Sequence, residues 1–520
     1  MTRDLIIGID AGTSVLKSVA FTLDGAQLGV ASRPNSYNRA GHGYVEQDML
    51  QTWHDTRQTL RDLAAIVPGL ASRAVGIAVT GQGDGCWLVD AEGEPIGDAL
   101  IWLDSRAAEM AAAFVAGPDH AAHYSTTGTG LNACQQSIQL AWLQRHQPER
   151  LVRAANALHC KDWLYFKLTG QRAVDPAEGI FTYGDFRTGS YAADVGERLG
   201  IARHAHLLPD IVDGARMHHA MTPAAAADTG LPSGLPVVLG YVDVVCSAIG
   251  GGLFDPSGTV GCSIIGSTGM HMRMANGADA VSLNPACSGY TMALPGAGLY
   301  AQSQSNMAGT VNIDWLVELA RQACAMAGIE SHRHALLAGV EAHVAAAAPG
   351  SSLYHPYILE AGERGPFMNA DARAQFSGLS TSTSFAGLFR SLYEGLGFAA
   401  RDCYGVMGSI PNEIRLTGGA ARSSTLLQIF ADVLAVPVRR VLREETGAAG
   451  AAMIGAISLG LYPSLAACAQ AWVTPTLGAL TEPDAKLADF YHKLFPIYRS
   501  VREAMPPAWA ALARAREAKP

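Results

Sequence analysis

The stretch Leu5-Ile-Ile-Gly-Ile-Asp-Ala-Gly-Thr-Ser-Val-Leu-Lys17 decides the fold of this 520-residue chain. Residues 5–9 form a short apolar, β-branched run, which is typical of a buried strand. The carboxylate of Asp10 ends this run, and four small residues follow it before the predicted return strand. Such a turn offers N–H and hydroxyl donors to a close ligand. It predicts either a site for Mg²⁺ and nucleotide phosphates or a plain β-hairpin in which Asp and Gly only make the turn.

The composition describes a chain that buries much apolar surface and carries little charge. Hydrophobic residues make up 49% of it, charged residues make up 16%, and the formal net charge is -9. Because 520 residues are too many for one hydrophobic core, we expect two or more domains. No basic block accompanies the acidic balance. This argues against a nucleic-acid partner and favours an uncharged or metal-bridged ligand.

The start of the chain and its cysteines predict a cytoplasmic protein. Met-Thr-Arg-Asp runs straight into the first strand without the regions of a signal peptide. No apolar run reaches membrane-spanning length, so we expect no membrane partner. The nine cysteines are scattered and include no Cys-x-x-Cys pair. This distribution is typical of reduced thiols packed as small hydrophobic side chains.

A second candidate for ligand binding follows the continuous apolar run of residues 74–80. This run is typical of a parallel strand, and it ends in Gly81-Gln-Gly-Asp-Gly85, where the chain can bend sharply. Ligands collect at the carboxyl ends of such strands, so the loop is a candidate site. A predicted hairpin over residues 87–103 then ends beside Trp102, Asp104 and Arg106.

The pattern of a strand, a glycine and an aspartate recurs at residues 236–243. A Gly-rich segment follows, and then a predicted strand over residues 259–265 that ends in Gly266-Ser-Thr-Gly269. The second half therefore opens much as the first half does. This similarity predicts a duplicated α/β unit with a cleft between the copies, although chance likeness between two hairpins would give the same pattern.

Two glycine-rich stretches mark the last part of the chain. Residues 414–420 predict a strand that ends in glycines and leads into a helix from about Ser423. A helix N-terminus in this place is either a nucleotide site or a plain strand-to-helix turn. Residues 444–450 precede a helix of small residues, which can pack very closely against its neighbours.

Five motifs in this order resemble those of the FGGY carbohydrate kinases, which belong to the actin-like ATPase superfamily. They are Asp10-Ala-Gly-Thr-Ser14, Gly240-Tyr-Val-Asp243, Gly266-Ser-Thr-Gly269, Thr417-Gly-Gly-Ala420 and Glu445-Thr-Gly-Ala-Ala-Gly450. The resemblance covers almost the whole chain. It implies an α/β fold of two actin-like (ribonuclease H-like) ATPase domains with a nucleotide cleft between them. Residues 1–245 would hold the polyol and the first phosphate loop. Residues 246–520 would hold the second phosphate loop and the adenosine site.

The resemblance also implies roles for individual residues, with ATP and Mg²⁺ as cofactors. Asp243 matches the catalytic base, and Asp10 and Asp243 are the expected carboxylates at the metal. The positions that match nucleotide-binding residues are Gly12, Thr13, Ser14 and Lys17 in the first phosphate loop, Gly266, Ser267, Thr268 and Gly269 in the second, Gly309 near the phosphates, and Gly418, Gly419 and Ser423 at the adenosine. The family often has Asn where this chain has Ser423.

Within the family, residues 81–87, 102–106, 127–136 and 158–164 look most like those of erythritol kinases. This implies transfer of phosphate from ATP to a terminal hydroxyl of a small uncharged polyol, with erythritol as the first candidate. The expected substrate contacts are Asp84, Trp102, Asp104, Gln135, Gln136 and Asp243. Structural roles are the alternative: Trp102 in the core, Asp104 paired with Arg106, and Gln135 on an exposed helix face.

Two other functions stay open. One is a pentulose kinase that acts on a ketose such as xylulose or ribulose. The other is an actin-like protein that uses ATP to switch conformation and phosphorylates no sugar. A carboxylate-lined pocket without an arginine cluster favours the kinase with a neutral substrate. The sequence leaves a homodimer open as well.

Overall fold

The first half of the molecule is built on a six-stranded sheet. The computed structural model describes residues 3–41, 43–255 and 257–517. Across this sheet the strands run in the order His219–Ala220, Pro236–Leu239, Ala74–Gly81, Leu5–Ala11, Val15–Thr22 and Gln27–Pro34. The helix Met49–Ile66 packs against the last two of these strands and buries Trp53, Leu60 and Leu63. The predicted strand over residues 5–9 is therefore confirmed and lies inside its sheet.

The second half is built on a seven-stranded sheet. Its strands run in the order Tyr290–Ala293, Leu299–Asn306, Gly269–Asn276, Val260–Ile265, Glu413–Thr417, Val438–Val441 and Leu477–Thr481. The long helix Phe385–Val406 packs on this sheet, and most of its residues are buried.

The two sheets share one topology, which confirms the predicted duplication. Leu5–Ala11 is antiparallel to the strand that follows it and parallel to Ala74–Gly81. In the same way, Val260–Ile265 is antiparallel to the strand that follows it and parallel to Glu413–Thr417. The turn after Asp10 and the turn at residues 266–269 therefore occupy equivalent places in the two copies.

The expectation that residues 236–243 open the second copy is wrong. Pro236–Leu239 pairs in parallel with Ala74–Gly81 and belongs to the first sheet. The chain then enters the helix Asp243–Gly250 and makes no hairpin. The pattern of a strand, a glycine and an aspartate therefore indicates a parallel strand that ends at the cleft, but it does not indicate which copy the strand belongs to.

Two helices cross between the sheets at van der Waals distance. A Cβ atom at Gly450 in the helix Thr446–Ser458 would lie 1.9 Å from the Cys246 carbonyl oxygen in the helix Asp243–Gly250. A Cβ atom at Gly250 would lie 2.1 Å from the Thr446 carbonyl oxygen. The close packing predicted for the small-residue helix is thus confirmed. The proposed domain boundary after residue 245 falls inside the first of these helices.

Further helices and short strands complete the molecule. None of the described helices is both long and apolar enough to cross a membrane. The remaining helices are Leu70–Arg73, Ala108–Val115, His120–Thr127, Gln136–His146, Pro148–Arg153, Cys160–Thr169, Pro176–Tyr183, Ala193–Arg198, Pro223–Thr229, Val311–Met326, Arg333–Ala346, Ser424–Leu434, Leu465–Trp472, Ala485–Ala504 and Pro506–Glu517. The 3₁₀ helices are Ala202–Leu207, Ala278–Ala280, Gly419–Arg422 and Thr474–Thr476. The remaining strands are Asn38–Arg39, Val45–Gln47, Trp87–Val89, Ala99–Leu100, Asn156–Leu158, Ala173–Val174, Gly184–Asp185, Ser190–Tyr191, Asp210–Ile211, Leu353–His355 and Gln375–Ser377.

Candidate functional site

A cavity of about 250 Å³ lies between the two halves of the molecule. The first half contributes Thr13, Asp84, Trp102 and Asp243 to its lining, so residues far apart in sequence meet here as predicted. The second half contributes Thr268 from the second predicted phosphate loop. Sequence-predicted groups for phosphate, substrate and base therefore share one cleft.

Asp243 and Asp10 are neighbouring acidic side chains at this cleft. Asp243 is the first residue of its helix, and its Oδ1 accepts the Val244 backbone N–H at 2.7 Å. Loss of hydration on burial, followed by repulsion from Asp10, raises the pKa of Asp243 well above its ordinary range. Burial also raises the pKa of Asp10 to about 6. Asp10 is thus close enough to disfavour the ionised form of Asp243.

The nearest cation to Asp10 already has a partner. Lys17 lies opposite Asp10 in the antiparallel ladder, and its Nζ binds Glu445 Oε2 at 2.7 Å. Lys17 lowers the pKa of Asp10, but burial and Glu445 raise it. The surplus of carboxylate oxygen here fits a divalent cation, since hard cations such as Mg²⁺ prefer oxygen ligands and relieve this repulsion. Asp10 and Asp243 are the residues that would hold such an ion.

Gly447 makes room for the Asp10 carboxylate. A Cβ atom at this position would lie 2.3 Å from Asp10 Oδ2. Gly447 lies in the first turn of the helix Thr446–Ser458, so the carboxylate meets the positive end of the helix dipole. The glycine of the predicted motif after Glu445 thus allows an anion from the first sheet to approach a helix of the second half.

A chain of hydrogen bonds fixes the first predicted phosphate loop. Trp102 Nε1 donates to the Thr13 hydroxyl at 2.6 Å, and Thr13 donates to Gln82 Oε1 at 3.3 Å. Asn35 binds the other side of the loop, donating from Nδ2 to the Gly12 carbonyl oxygen at 2.8 Å and from its backbone to the Ser14 carbonyl oxygen at 2.9 Å. The loop is therefore preorganised, and Trp102 both lines the cavity and orients Thr13.

The second predicted phosphate loop is braced by Gly309. Its backbone N–H donates to the Ser267 carbonyl oxygen at 2.7 Å, and a Cβ atom there would lie 2.5 Å from the Gly266 carbonyl oxygen. The Gly266 N–H donates to the Thr268 carbonyl oxygen at 3.0 Å, which closes the turn before Gly269. Only glycine at position 309 allows this approach.

At the predicted adenosine site the structure shows a tight turn and a helix cap. Gly418 has φ 89°, and a Cβ atom there would lie 2.4 Å from the Ile265 carbonyl oxygen. The space around Gly419 is open. Ser423 caps the helix Ser424–Leu434, accepting the Leu426 N–H at 3.0 Å and donating to Glu341 Oε1 at 2.6 Å. Its hydroxyl is therefore already engaged within the protein.

Asp84 keeps a free acceptor beside the cavity. Its backbone lies in the left-handed region at φ 56°, which is rare for a residue other than glycine. The Cys134 thiol donates to its Oδ2 at 3.4 Å, whereas its Oδ1 has no hydrogen-bond partner among the described residues. Burial raises the pKa of Asp84, and Cys134 and Arg364 lower it. A substrate hydroxyl would supply the missing donor.

The structure corrects three of the expected substrate contacts. Asp104 accepts from the Arg106 guanidinium at 2.8 and 2.9 Å and from the Val45 N–H at 2.7 Å, so its carboxylate is satisfied inside the protein. Gln135 donates to the Gly130 carbonyl oxygen, and Gln136 donates to the Leu158 carbonyl oxygen. All three are about 1% exposed, and they are absent from the cavity lining. Their amides and carboxylate hold the surrounding loops in place.

Sequence reasoning missed Arg364 and Tyr290, which line the cavity from the second half. Arg364 lies in the polar, Gly/Pro-rich segment of residues 360–369, where no periodicity marks a functional side chain. Met270, Met292 and Met307 add apolar surface from the same side. The one local signal was an arginine among glycines and prolines in a long loop.

Comparisons with known proteins find family matches over both halves of the chain. The family model described as the N-terminal domain of the FGGY family of carbohydrate kinases matches residues 5–250, and the model of the C-terminal domain matches residues 261–459. The chain is 50% identical over 510 residues to the erythritol kinase of Brucella abortus (strain 2308), covering 98% of each protein.

Solved structures share the fold. A xylulose kinase from Rhodospirillum rubrum superposes with a TM-score of 0.87 at 28% identity, covering 97% of this chain and 100% of that chain. A gluconate kinase from Lactobacillus acidophilus superposes with a TM-score of 0.88 at 21% identity, covering 98% of this chain and 99% of that one. The two halves therefore form the two-domain, actin-like fold of sugar kinases.

Proposed function

Because the chain belongs to the FGGY family of carbohydrate kinases, we propose that it transfers the γ-phosphoryl group of ATP to a terminal hydroxyl of erythritol. The observation that carries this proposal is the partly buried carboxylate of Asp243, which lines the cavity between Asp84 and the second phosphate loop. The 50% identity to an erythritol kinase over nearly the full length supports erythritol as the substrate.

Asp243 is the proposed general base. Phosphoryl transfer has a loose transition state, so the enzyme mainly holds the reactants in line and neutralises phosphate oxygens. An alcohol is far too weak an acid to be ionised beforehand, and Asp243 takes its proton late in the transfer. Its carboxylate lines the cavity in which the attacking hydroxyl would lie.

The remaining predicted residues bind the cofactors. When bound, Mg²⁺ would neutralise charge on the phosphates, with Asp10 and Asp243 as its protein ligands. The two glycine-rich turns, at residues 10–14 and 266–269, offer backbone N–H groups to the phosphates from opposite sides of the cleft. Gly418 makes the tight turn, and Gly419 leaves space for the adenosine beside the helix Ser424–Leu434.

The polyol occupies the space between Asp84 and the apolar wall. Asp84 accepts hydrogen bonds from substrate hydroxyls, and Trp102 together with the methionines contacts the carbon chain. A site built around hydroxyl contacts rejects analogues that leave its polar groups unpaired. In this proposal residues 1–245 supply Asp84 and Trp102 to the polyol site, and residues 246–520 supply the adenosine site together with the methionines at the polyol.

The free cysteines support a reducing, cytoplasmic location. All nine are free, and seven of them are buried. Burial raises the pKa of thiols such as Cys86, to about 12, which keeps them protonated and inert.

ADP release measured with a panel of acceptors tests the proposal. We expect kcat/KM to be highest for erythritol and to fall for glycerol, pentitols and pentuloses, each assayed with MgATP. A preference for xylulose or ribulose would replace erythritol with a pentulose as the substrate. ADP release that no acceptor stimulates would contradict kinase activity and favour an ATP-driven switch.

A further inference from the structure

Arg364 reaches the polyol cavity from the second half of the molecule. It lines the cavity opposite Asp84, together with Tyr290, Ser305 and Met307. Asp84 belongs to the first half, so the two charged side chains approach the same space from opposite sides of the cleft. The proposed phosphate loops do not include Arg364.

The electrostatic partners of Arg364 are Asp84 and Tyr290. The Tyr290 hydroxyl lies close to its guanidinium and accepts from Asn132 Nδ2 at 3.2 Å. Asp84, Tyr290 and Cys134 favour the charged guanidinium strongly enough to raise its pKa, although burial opposes this. In return, Arg364 lowers the pKa of Asp84. The two residues form an electrostatic pair across the cavity without a direct ion pair.

The backbone around Arg364 is fixed before any substrate binds. Glu363 Oε1 accepts the N–H groups of Met307 and Arg364, each at 2.8 Å. Asn306 Nδ2 donates to the Gly365 carbonyl oxygen at 2.7 Å, and the Ser288 hydroxyl donates to the Pro366 carbonyl oxygen at 2.8 Å. Residues 363–366 are thus attached to the second sheet, and the guanidinium is presented from a preorganised loop.

We propose that Arg364 is a specificity-determining residue that donates hydrogen bonds to the hydroxyl oxygens of the polyol, and that its pairing with Asp84 restricts the cavity to neutral substrates. This inference rests on the proposed function. Each polyol hydroxyl can accept from Arg364 and donate to Asp84 at once. The substrate therefore bridges the two halves of the molecule.

The charges around the cavity predict that a carboxylate substrate is rejected. Asp84 and Asp243 line the same cavity as Arg364, so acidic side chains outnumber the single guanidinium there. A four-carbon aldonate, which differs from erythritol by a terminal carboxylate, would meet net repulsion. Removing the Asp84 charge would leave Arg364 free to bind that carboxylate.

The test compares erythritol and a four-carbon aldonate across Asp84 and Arg364 variants. In Arg364→Met the KM for erythritol should rise about ten- to hundredfold with the KM for ATP unchanged, because donors to the hydroxyls are lost. Arg364→Lys should recover part of this loss, since it keeps the charge without the planar fork. In Asp84→Asn the aldonate should become a competitive inhibitor, and Asp84→Asn/Arg364→Met should lose that inhibition.

Arg373→Met is the matched control on the same loop. Arg373 donates to the carbonyl oxygens of Ala370 and Ala372 and is absent from the cavity lining, so the KM for erythritol should not change. Thermal unfolding of each variant separates misfolding from lost contacts, and Arg364→Lys keeps the test valid if Arg364→Met fails to fold.

An unchanged KM in Arg364→Met, or no aldonate inhibition in Asp84→Asn, would overturn the proposal. If the wild type prefers another neutral acceptor, the proposed substrate fails and the same KM comparison is made with that acceptor. If the wild type phosphorylates nothing, the proposed function fails, and calorimetric binding of the aldonate to Asp84→Asn still tests the role of Arg364.

Discussion

Glu178 accepts the backbone N–H of Asp84 through Oε1 at 2.8 Å, and Lys161 contacts the other oxygen of the same carboxylate. Asp84 needs this support because its backbone lies in the left-handed region. The Lys161 ammonium is buried and also binds Asp162 and Asp175, each at 2.7 Å. A buried ionic cluster thus holds the loop that carries the proposed substrate acceptor.

Replacing Glu178 tests this positioning role. Glu178→Met removes the acceptor for the Asp84 N–H, and we expect the KM for the polyol to rise about tenfold while the KM for ATP stays unchanged. Glu178→Gln keeps an acceptor oxygen and should recover most of the affinity. Steady-state kinetics with both substrates measure this. Equal polyol KM values for the two variants would show that the hydrogen bond does not position Asp84.

Lys161→Met should destabilise the protein by about 3–5 kcal/mol, because it leaves three buried carboxylates without their cation. Burial opposes the Lys161 charge, yet Asp162, Asp175 and Glu178 keep its pKa well above its ordinary range. The matched control is Lys493→Met, whose exposed pair with Asp489 contributes about 0–1 kcal/mol. Denaturant unfolding measures both. Equal stabilities would mean that the cluster is held together without Lys161.

Gly450→Ala should lower the free energy of unfolding by about 3 kcal/mol, because the added methyl group would overlap the Cys246 backbone. The two crossing helices would then separate and widen the cleft, so activity should fall as well. Gly405→Ala is the matched control, because Gly405 lies in the helix Phe385–Val406 and a Cβ atom there has open space. This control should be neutral or stabilising by about 0.5–1 kcal/mol. Thermal unfolding midpoints distinguish the two, and a Gly450→Ala protein as stable as the wild type would contradict the close crossing.

Glu363 should make stability depend on pH. Burial raises its pKa to about 7 in the folded protein, against an unfolded value of about 4.5. The folded state therefore binds more protons than the unfolded state between these values, and its stability falls as pH rises through this window. Glu363→Gln removes the titration and keeps the acceptor for Met307. The free energy of unfolding of the variant minus that of the wild type should be up to about 3 kcal/mol larger at pH 8 than at pH 5. A stability difference that is constant between pH 5 and pH 8 would contradict the raised pKa.

The first strand and its turn could be predicted from sequence because their signals are local. The apolar run of residues 5–9 predicts a buried strand, and the glycine of the motif after Asp10 predicts a turn, without information from the rest of the chain. The strand Pro236–Leu239 shows the limit of such signals, since its pattern is local but its pairing with Ala74–Gly81 is not. No local feature states which sheet a strand joins.

The candidate site could be predicted from sequence where a short motif contains the functional side chain itself. Asp84 and Asp243 line the cavity because they follow strands whose ends meet there, and Asp10, near the end of the strand Leu5–Ala11, lies close to Asp243. Asp104 and Gln136 turn into the protein, where partners distant in sequence, such as the Val45 N–H and the Leu158 carbonyl oxygen, satisfy them. Arg364 enters the cavity from a loop with no periodic pattern. Such tertiary contacts are not visible in one sequence.

The most direct test of the account is phosphoryl transfer to erythritol by Asp243→Asn, with binding of the ATP analogue AMP-PNP measured in parallel by calorimetry. Asparagine keeps the shape of the side chain but cannot take the proton of the attacking hydroxyl. We expect kcat to fall by about 10²–10⁴-fold while the nucleotide still binds. A variant that phosphorylates erythritol at the wild-type rate would contradict it.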